Sequence, residues 1–121
     1  MPATAEQIQE IERQSIGTEN WYKHPMVKDF LYTDGVKAVA ATAGAYWLVD
    51  RIAFNQLKNH VASTPFQLWI LDVKDGSAEL TMREDSDRSA VIEEKIDHTD
   101  FPTGTWKFYV EGNVLLLPSE H

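Results

Sequence analysis

The stretch FQLWILDVKDGSAELTMRE, residues 66–84, restricts the fold more than any other part of the chain. Its first eight residues carry apolar side chains on both faces: Phe66, Leu68 and Ile70 on one, Trp69, Leu71 and Val73 on the other. Such a strand belongs inside a sheet, with neighbours at both edges and cover above it. Asp75-Gly76 is a tight-turn pair that predicts a hairpin. The returning SAELTMRE alternates cleanly, with Ala78, Leu80 and Met82 facing in.

Three more strands are predicted downstream. AVIEEKID is apolar at Ala90, Ile92 and Ile96. TWKFYV sets Trp106, Phe108 and Val110 against Lys107 and Tyr109. EGN then turns the chain into VLLLP, where Pro118 ends the ladder because it has no amide to donate.

Upstream of Phe66 the period is helical. Thr4 and Gln7 form a capping box for a helix over 4–14, with Ile8 and Ile11 as apolar neighbours and Gly17 closing it. Residues 16–35, IGTENWYKHPMVKDFLYTDG, hold too many aromatics for a free linker. Pro25 bars a regular helix across itself, and a short helix near 25–31 is expected. Thr33 or Asp34 caps a second helix over GVKAVAATA, with Val36, Val39, Ala40 and Ala43 on one stripe. Gly44 breaks the chain, and a third helix runs from about 45 to 60, with His60 near its dipole's negative end.

The resulting expectation is one α+β domain over 1–121. A peripheral N-terminal helix occupies 1–19 and a helical half 20–62. A four- or five-stranded antiparallel meander over 66–118 carries the helices on one face. A chain of 121 residues buries a sizeable core without staples.

Composition excludes several chemistries. There is no cysteine, hence no disulfide, thiolate nucleophile or cysteine-ligated metal. The net charge is −8, and residues 61–121 hold five basic against twelve acidic groups. Such a chain repels phosphate backbones, so direct nucleic-acid binding is not expected. An acidic surface that mimics nucleic acid remains a separate reading. The N-terminus is polar, without the charged and apolar regions of a signal peptide. No apolar run approaches the ~20 residues that span a bilayer, so a soluble cytoplasmic protein without membrane contact is expected.

No glycine-rich phosphate loop, GxSxG elbow or HExxH motif is present. No cofactor is expected, and no nucleophile is recognisable among the serines. Asp97-His98-Thr99-Asp100 places two carboxylates beside an imidazole, the groups a metal or a primed base requires. Adjacent strand residues point to opposite faces, however, and Asp100 before Phe101-Pro102 reads as turn chemistry. EDSDR at 84–88 fails the calcium-loop pattern, because its sixth position from Asp85 is Ala90 instead of glycine.

TAGAYWLVDRIAFNQ, residues 42–56, carries the candidate binding residues Tyr46, Trp47, Asp50, Arg51 and Phe54. On a helix, Trp47 and Arg51 are i,i+4 neighbours, as are Tyr46 and Asp50. The first spacing suits a cation–π contact and the second a hydroxyl–carboxylate bond. Ala45, Leu48, Val49, Ile52 and Ala53 form the core stripe, and Phe54 and Leu57 extend the apolar surface beyond what one sheet covers. The second side requires the Trp21/Tyr22 segment, a second subunit or protein partner, or a ligand.

LYTDGVKAVAATAGAYWLVDRIA, FQLWILDV, TDFP and YVEGNVLLLPSEH resemble a family of small bacterial and phage proteins of unknown function, over residues 20–121. The resemblance implies a compact single domain, often carried on a mobile element, and transfers no catalytic residue. The expected function is non-enzymatic protein binding or modulation, by way of a partner or a homodimer. The alternatives are a small ligand-binding protein or enzyme, with a pocket lined by Tyr46, Asp50, Arg51 and Tyr109, and the acidic mimic.

Overall fold

The computed structural model describes residues 2–17 and 19–121; the portions of the expected peripheral segment at Met1 and Thr18 lie outside them. Among the described residues the fold is α+β, with four α-helices and one seven-stranded mixed sheet. In chain order the elements are α1 (Ala5–Gln14), β1 (Trp21–Lys23), β2 (Leu31–Thr33), α2 (Asp34–Ala43), α3 (Tyr46–Asn55), α4 (Asn59–Ala62), β3 (Phe66–Lys74), β4 (Ser77–Arg83), β5 (Ile92–Ile96), β6 (Gly104–Glu111) and β7 (Val114–Leu116). A short 3-10 turn over Pro118–Glu120 follows β7.

β3 is the interior strand its sequence requires, paired with β4 on one side and β6 on the other. Its Trp69, Leu71 and Val73 are buried in the same core as Val36, Leu48, Ile52 and Phe108. The β3–β4 hairpin closes at Lys74↔Ser77 with both Asp75 and Gly76 at positive φ, the geometry of a two-residue turn matched to strand twist. Gly112 and Asn113 close the β6–β7 hairpin in the same way.

The meander expectation is corrected. β6 does not follow β5 at the sheet edge but returns to the far side of β3, giving the order β1-β2-β7-β6-β3-β4-β5. The connection over 97–103 makes this return and is pinned as it does so. The amide of Thr99 donates to the Gly76 carbonyl, Phe101 is buried, and the Trp106 indole donates to the Pro102 carbonyl. β2 lies parallel to β7, so the sheet is mixed.

The short helix expected near 25–31 is likewise absent; β1, a compact loop and β2 take its place. The reason is local. Pro25 has no amide, and the amides of Met26 and Val27 donate to Nδ1 of His24. Asp29 then takes a positive φ of 64° and the Phe30 amide donates back to the Val27 carbonyl, so the chain closes a tight turn in place of a helical one. The expected third helix divides into α3 and α4. Gln67, buried on β3, holds the division by bonding Gln56, the Val61 and Thr64 carbonyls and the Trp69 indole. Every polar atom of this amide has a partner, so it ties the helix turn to the sheet without an unmet bond.

α1 has its capping box, with reciprocal Thr4–Gln7 bonds, and inserts Ile8 into the core. The start of α2 is held from two directions. The Asp34 carboxylate accepts from the Glu19 and Asn20 amides and from the Tyr22 hydroxyl. Glu120, at the end of the chain, accepts from the Gly35 and Leu117 amides and the Thr33 hydroxyl. Two carboxylates at a helix N-terminus complement its positive end. A Cβ on Gly35 would lie 2.6 Å from Glu120 Oε1 and 2.8 Å from Leu117 Cδ1, so this position requires glycine for close approach.

Candidate functional site

The five candidate residues on α3 face three neighbourhoods, because successive helical positions turn by about 100°. Asp50 does not meet the Tyr46 hydroxyl; its Oδ1 lies 2.7 Å from Nε2 of His24. Arg51 does not stack on Trp47; it pairs with Glu94 of β5 at 3.0 Å, and Asn55 donates to the other oxygen of that carboxylate. Trp47 points toward the α2–α3 junction and the 98–100 loop. Tyr46 and Phe54 each remain about two-fifths exposed.

His24 is the residue that sequence reasoning missed. It is buried, wedged between Phe30 and Phe54 with edge-on ring contacts of 6.4 and 5.7 Å between centroids. Its bonds define the tautomer. Nδ1 accepts from two backbone amides, so the proton sits on Nε2 and is donated to Asp50. Both ring nitrogens are therefore occupied, and the imidazole has no free nitrogen to act as a general base. The only signal in the sequence was a histidine before proline within an aromatic-rich segment. His24, backed by Phe30, thus covers part of the second side of α3 from within the same chain, through Asp50 and Phe54.

A tyrosine cluster continues this edge. Tyr22 and Tyr32 stack at 5.6 Å, and Lys37 lies 4.1 Å over the Tyr22 ring. The bond from the Tyr22 hydroxyl to Asp34 holds that phenol above its usual range, with burial adding to the effect. The same bond is the leading reason that the Asp34 carboxyl lies below its usual range. Burial, followed by the nearby Tyr46 and Asp50, raises Tyr32.

The enzyme-like pocket imagined from Tyr46, Asp50, Arg51 and Tyr109 does not assemble. Tyr109 lies on the opposite face of the sheet, against Phe66 and His121, and none of the described cavities brings these four residues together. The carboxylates of 72–100 do not share a face either. Glu94 turns toward α3, Asp72 and Glu79 pair on the other face, and Glu84–Asp87 and Asp97–Asp100 sit at opposite ends of β4. Among the described residues no group of three or more histidines and carboxylates could hold a metal ion, and no helix is long and apolar enough to cross a membrane.

What remains on the outer side of α3 is apolar. Met26 (68% exposed) and Phe54 adjoin the buried His24, Leu57 (69%) follows one turn after Phe54, and Tyr46 lies two turns before Phe54. Two shallow grooves flank them. One, of about 410 Å³, is lined by Lys23, His24, Lys28 and Asp29. The other, of about 250 Å³, is lined by Arg51, Phe54, Asn55, Lys58 and Glu94. Lys23, Lys28 and Lys58 thus lie beside this apolar surface, with Asp29 and the Arg51–Glu94 pair among them, on a chain of net charge −8.

The chain belongs to a family of unknown function (DUF6876), whose model matches residues 6–121. No curated protein and no solved structure matches it. The segments YTDGVK (32–37) and PSE (118–120) meet in the structure at the Thr33–Gly35–Glu120 contact.

Proposed function

We propose that this protein is a non-catalytic binding module that docks a partner protein through the outer stripe of α3 and the β1–β2 loop. One observation carries the reading: Met26, Phe54 and Leu57 stand exposed, while His24 with Asp50 and Arg51 with Glu94, the ionisable pairs of α3, are bonded within the chain. The exposed part of an aliphatic or aromatic side chain adds nothing to the core, and grouped exposed apolar surface marks interaction sites. The rim of Lys23, Lys28 and Lys58 selects the partner's chemistry, an apolar anchor flanked by carboxylates. A symmetric dimer through this patch would set lysine rim against lysine rim, which disfavours self-association.

A photo-crosslinking residue at Leu57, with one at Val91 on the opposite edge as control, tests the proposal in cells of the natural host. One discrete adduct from position 57 is expected, lost in Lys28→Glu/Lys58→Glu and retained in Lys74→Glu. Equal adducts from both positions, or insensitivity to the lysine reversals, refutes docking here. An adduct of twice the chain's mass refutes the hetero-partner and assigns the patch to a homodimer.

A further inference from the structure

A cleft of about 590 Å³ lies away from the proposed docking patch, at the α2–α3 junction. It is walled by Thr42, Gly44, Trp47, His98 and Asp100, with Pro2–Ala3 along one side. We propose that it binds an organic cation, an ammonium or guanidinium headgroup. The cleft collects three kinds of negative potential, and its lining holds no lysine or arginine, His98 being its one basic side chain.

The first source is the end of α2. The carbonyl of Ala40 accepts from both Gly44 and Ala45, so the carbonyls of Ala41, Thr42 and Ala43 are left without helical partners. The last turn carries no basic residue, and the negative end of the helix therefore opens into the cleft unneutralised. The second source is Asp100, which takes part in no described ion pair or side-chain bond. The third is the Trp47 indole, half-buried against the core, whose π-face attracts a cation.

Size and ligand count decide between kinds of cation. A bare divalent ion needs several oxygen or nitrogen side chains converging on one point, and no such group exists among the described residues. A cleft of this volume instead matches those that take small organic ligands. An anion meets the carbonyls and Asp100 with the wrong sign.

The test uses the intact protein, labelled with ¹⁵N, at pH 8. Choline and agmatine are titrated in turn, with acetate and inorganic phosphate as controls. Saturable shifts are expected at Gly44, Asp100 and the Trp47 indole N–H for the cations alone. Asp100→Asn should weaken them at least tenfold while the rest of the spectrum stays unchanged. Trp47→Leu gives a second reading, with weaker choline binding in a chain whose other resonances show that it is folded. The proposal is overturned if neither cation saturates by ~10 mM, where a ligand with Kd of about 1 mM would be mostly bound. It is also overturned if phosphate shifts the same resonances, or if Asp100→Asn leaves binding unchanged. The docking experiment reads a different surface, so either proposal can fail alone.

Discussion

Glu120→Ala should destabilise this protein far more than a substitution of a partly exposed glutamate normally would. The carboxylate accepts from the Gly35 amide at 3.1 Å, the Leu117 amide at 2.9 Å and the Thr33 hydroxyl at 2.7 Å. Bonds to a charged acceptor contribute about 1.5–3 kcal/mol each when buried. Glu120 is only partly buried, so water recovers much of that, and about 1 kcal/mol per bond is the appropriate scale. The charge at the start of α2 adds about 0.3–1 kcal/mol. The expected loss is about 2–4 kcal/mol, read from urea unfolding, with a fall in Tm of roughly 8–15 °C for a domain this size. Gly35→Ala tests the geometry separately. In the wild-type background its Cβ meets Glu120 Oε1 at 2.6 Å and displaces the carboxylate. In the Glu120→Ala background only the flexible end of Leu117 opposes it, and alanine is the better helix former by about 0.5–1 kcal/mol. The two changes should therefore be strongly sub-additive, by at least ~1 kcal/mol. Additivity within about 0.5 kcal/mol, or a Glu120→Ala cost below that, would refute the latch.

His24→Ala leaves two amides and Asp50 unpaired and a gap between Phe30 and Phe54, and should cost about 2–4 kcal/mol in chemical denaturation. Gln67→Leu strips partners from the Trp69 indole and Gln56, and should cost about 2–4 kcal/mol; a cost near zero would mean that water replaces the amide. The Asp34 carboxyl is held below its usual value, so its contribution is present above about pH 4 and is lost as pH falls through the depressed value. Asp34→Asn should accordingly flatten the loss of stability between about pH 5 and pH 3. Tyr22 and Tyr32 are raised, so their contribution is present below about pH 10 and is lost as pH climbs through the raised values. In absorbance titrations of tyrosinate, Asp34→Asn should move one phenol down toward the usual range.

The parts of this fold that were legible are those whose causes lie close together in sequence. The capping box spans Thr4 to Gln7, the turn is Asp75-Gly76, and the two apolar faces of β3 lie within eight residues. Alternation tells which face of a strand is wet but not which strand lies beside it. The return of β6 to β3 and the parallel β2–β7 pair were therefore not legible, and three-residue strands are too short to show a period. The same limit applied on α3. Helical spacing proposed Trp47 for Arg51 and Tyr46 for Asp50, whereas the partners are Glu94, 43 positions along the chain, and His24, 26 positions back. Once those distant partners are known, the suspicious charges of α3 are spent within the fold, and its outer apolar residues are not. That difference is measurable. Ile52→Ala, at a position with no exposure, should cost about 2–5 kcal/mol. Leu57→Lys should change stability by no more than about 0.5 kcal/mol, yet abolish the Phe54-side adduct formed by a crosslinker at Met26. A large stability cost at Leu57 would make that residue part of the fold and remove the reason for calling the patch an interface.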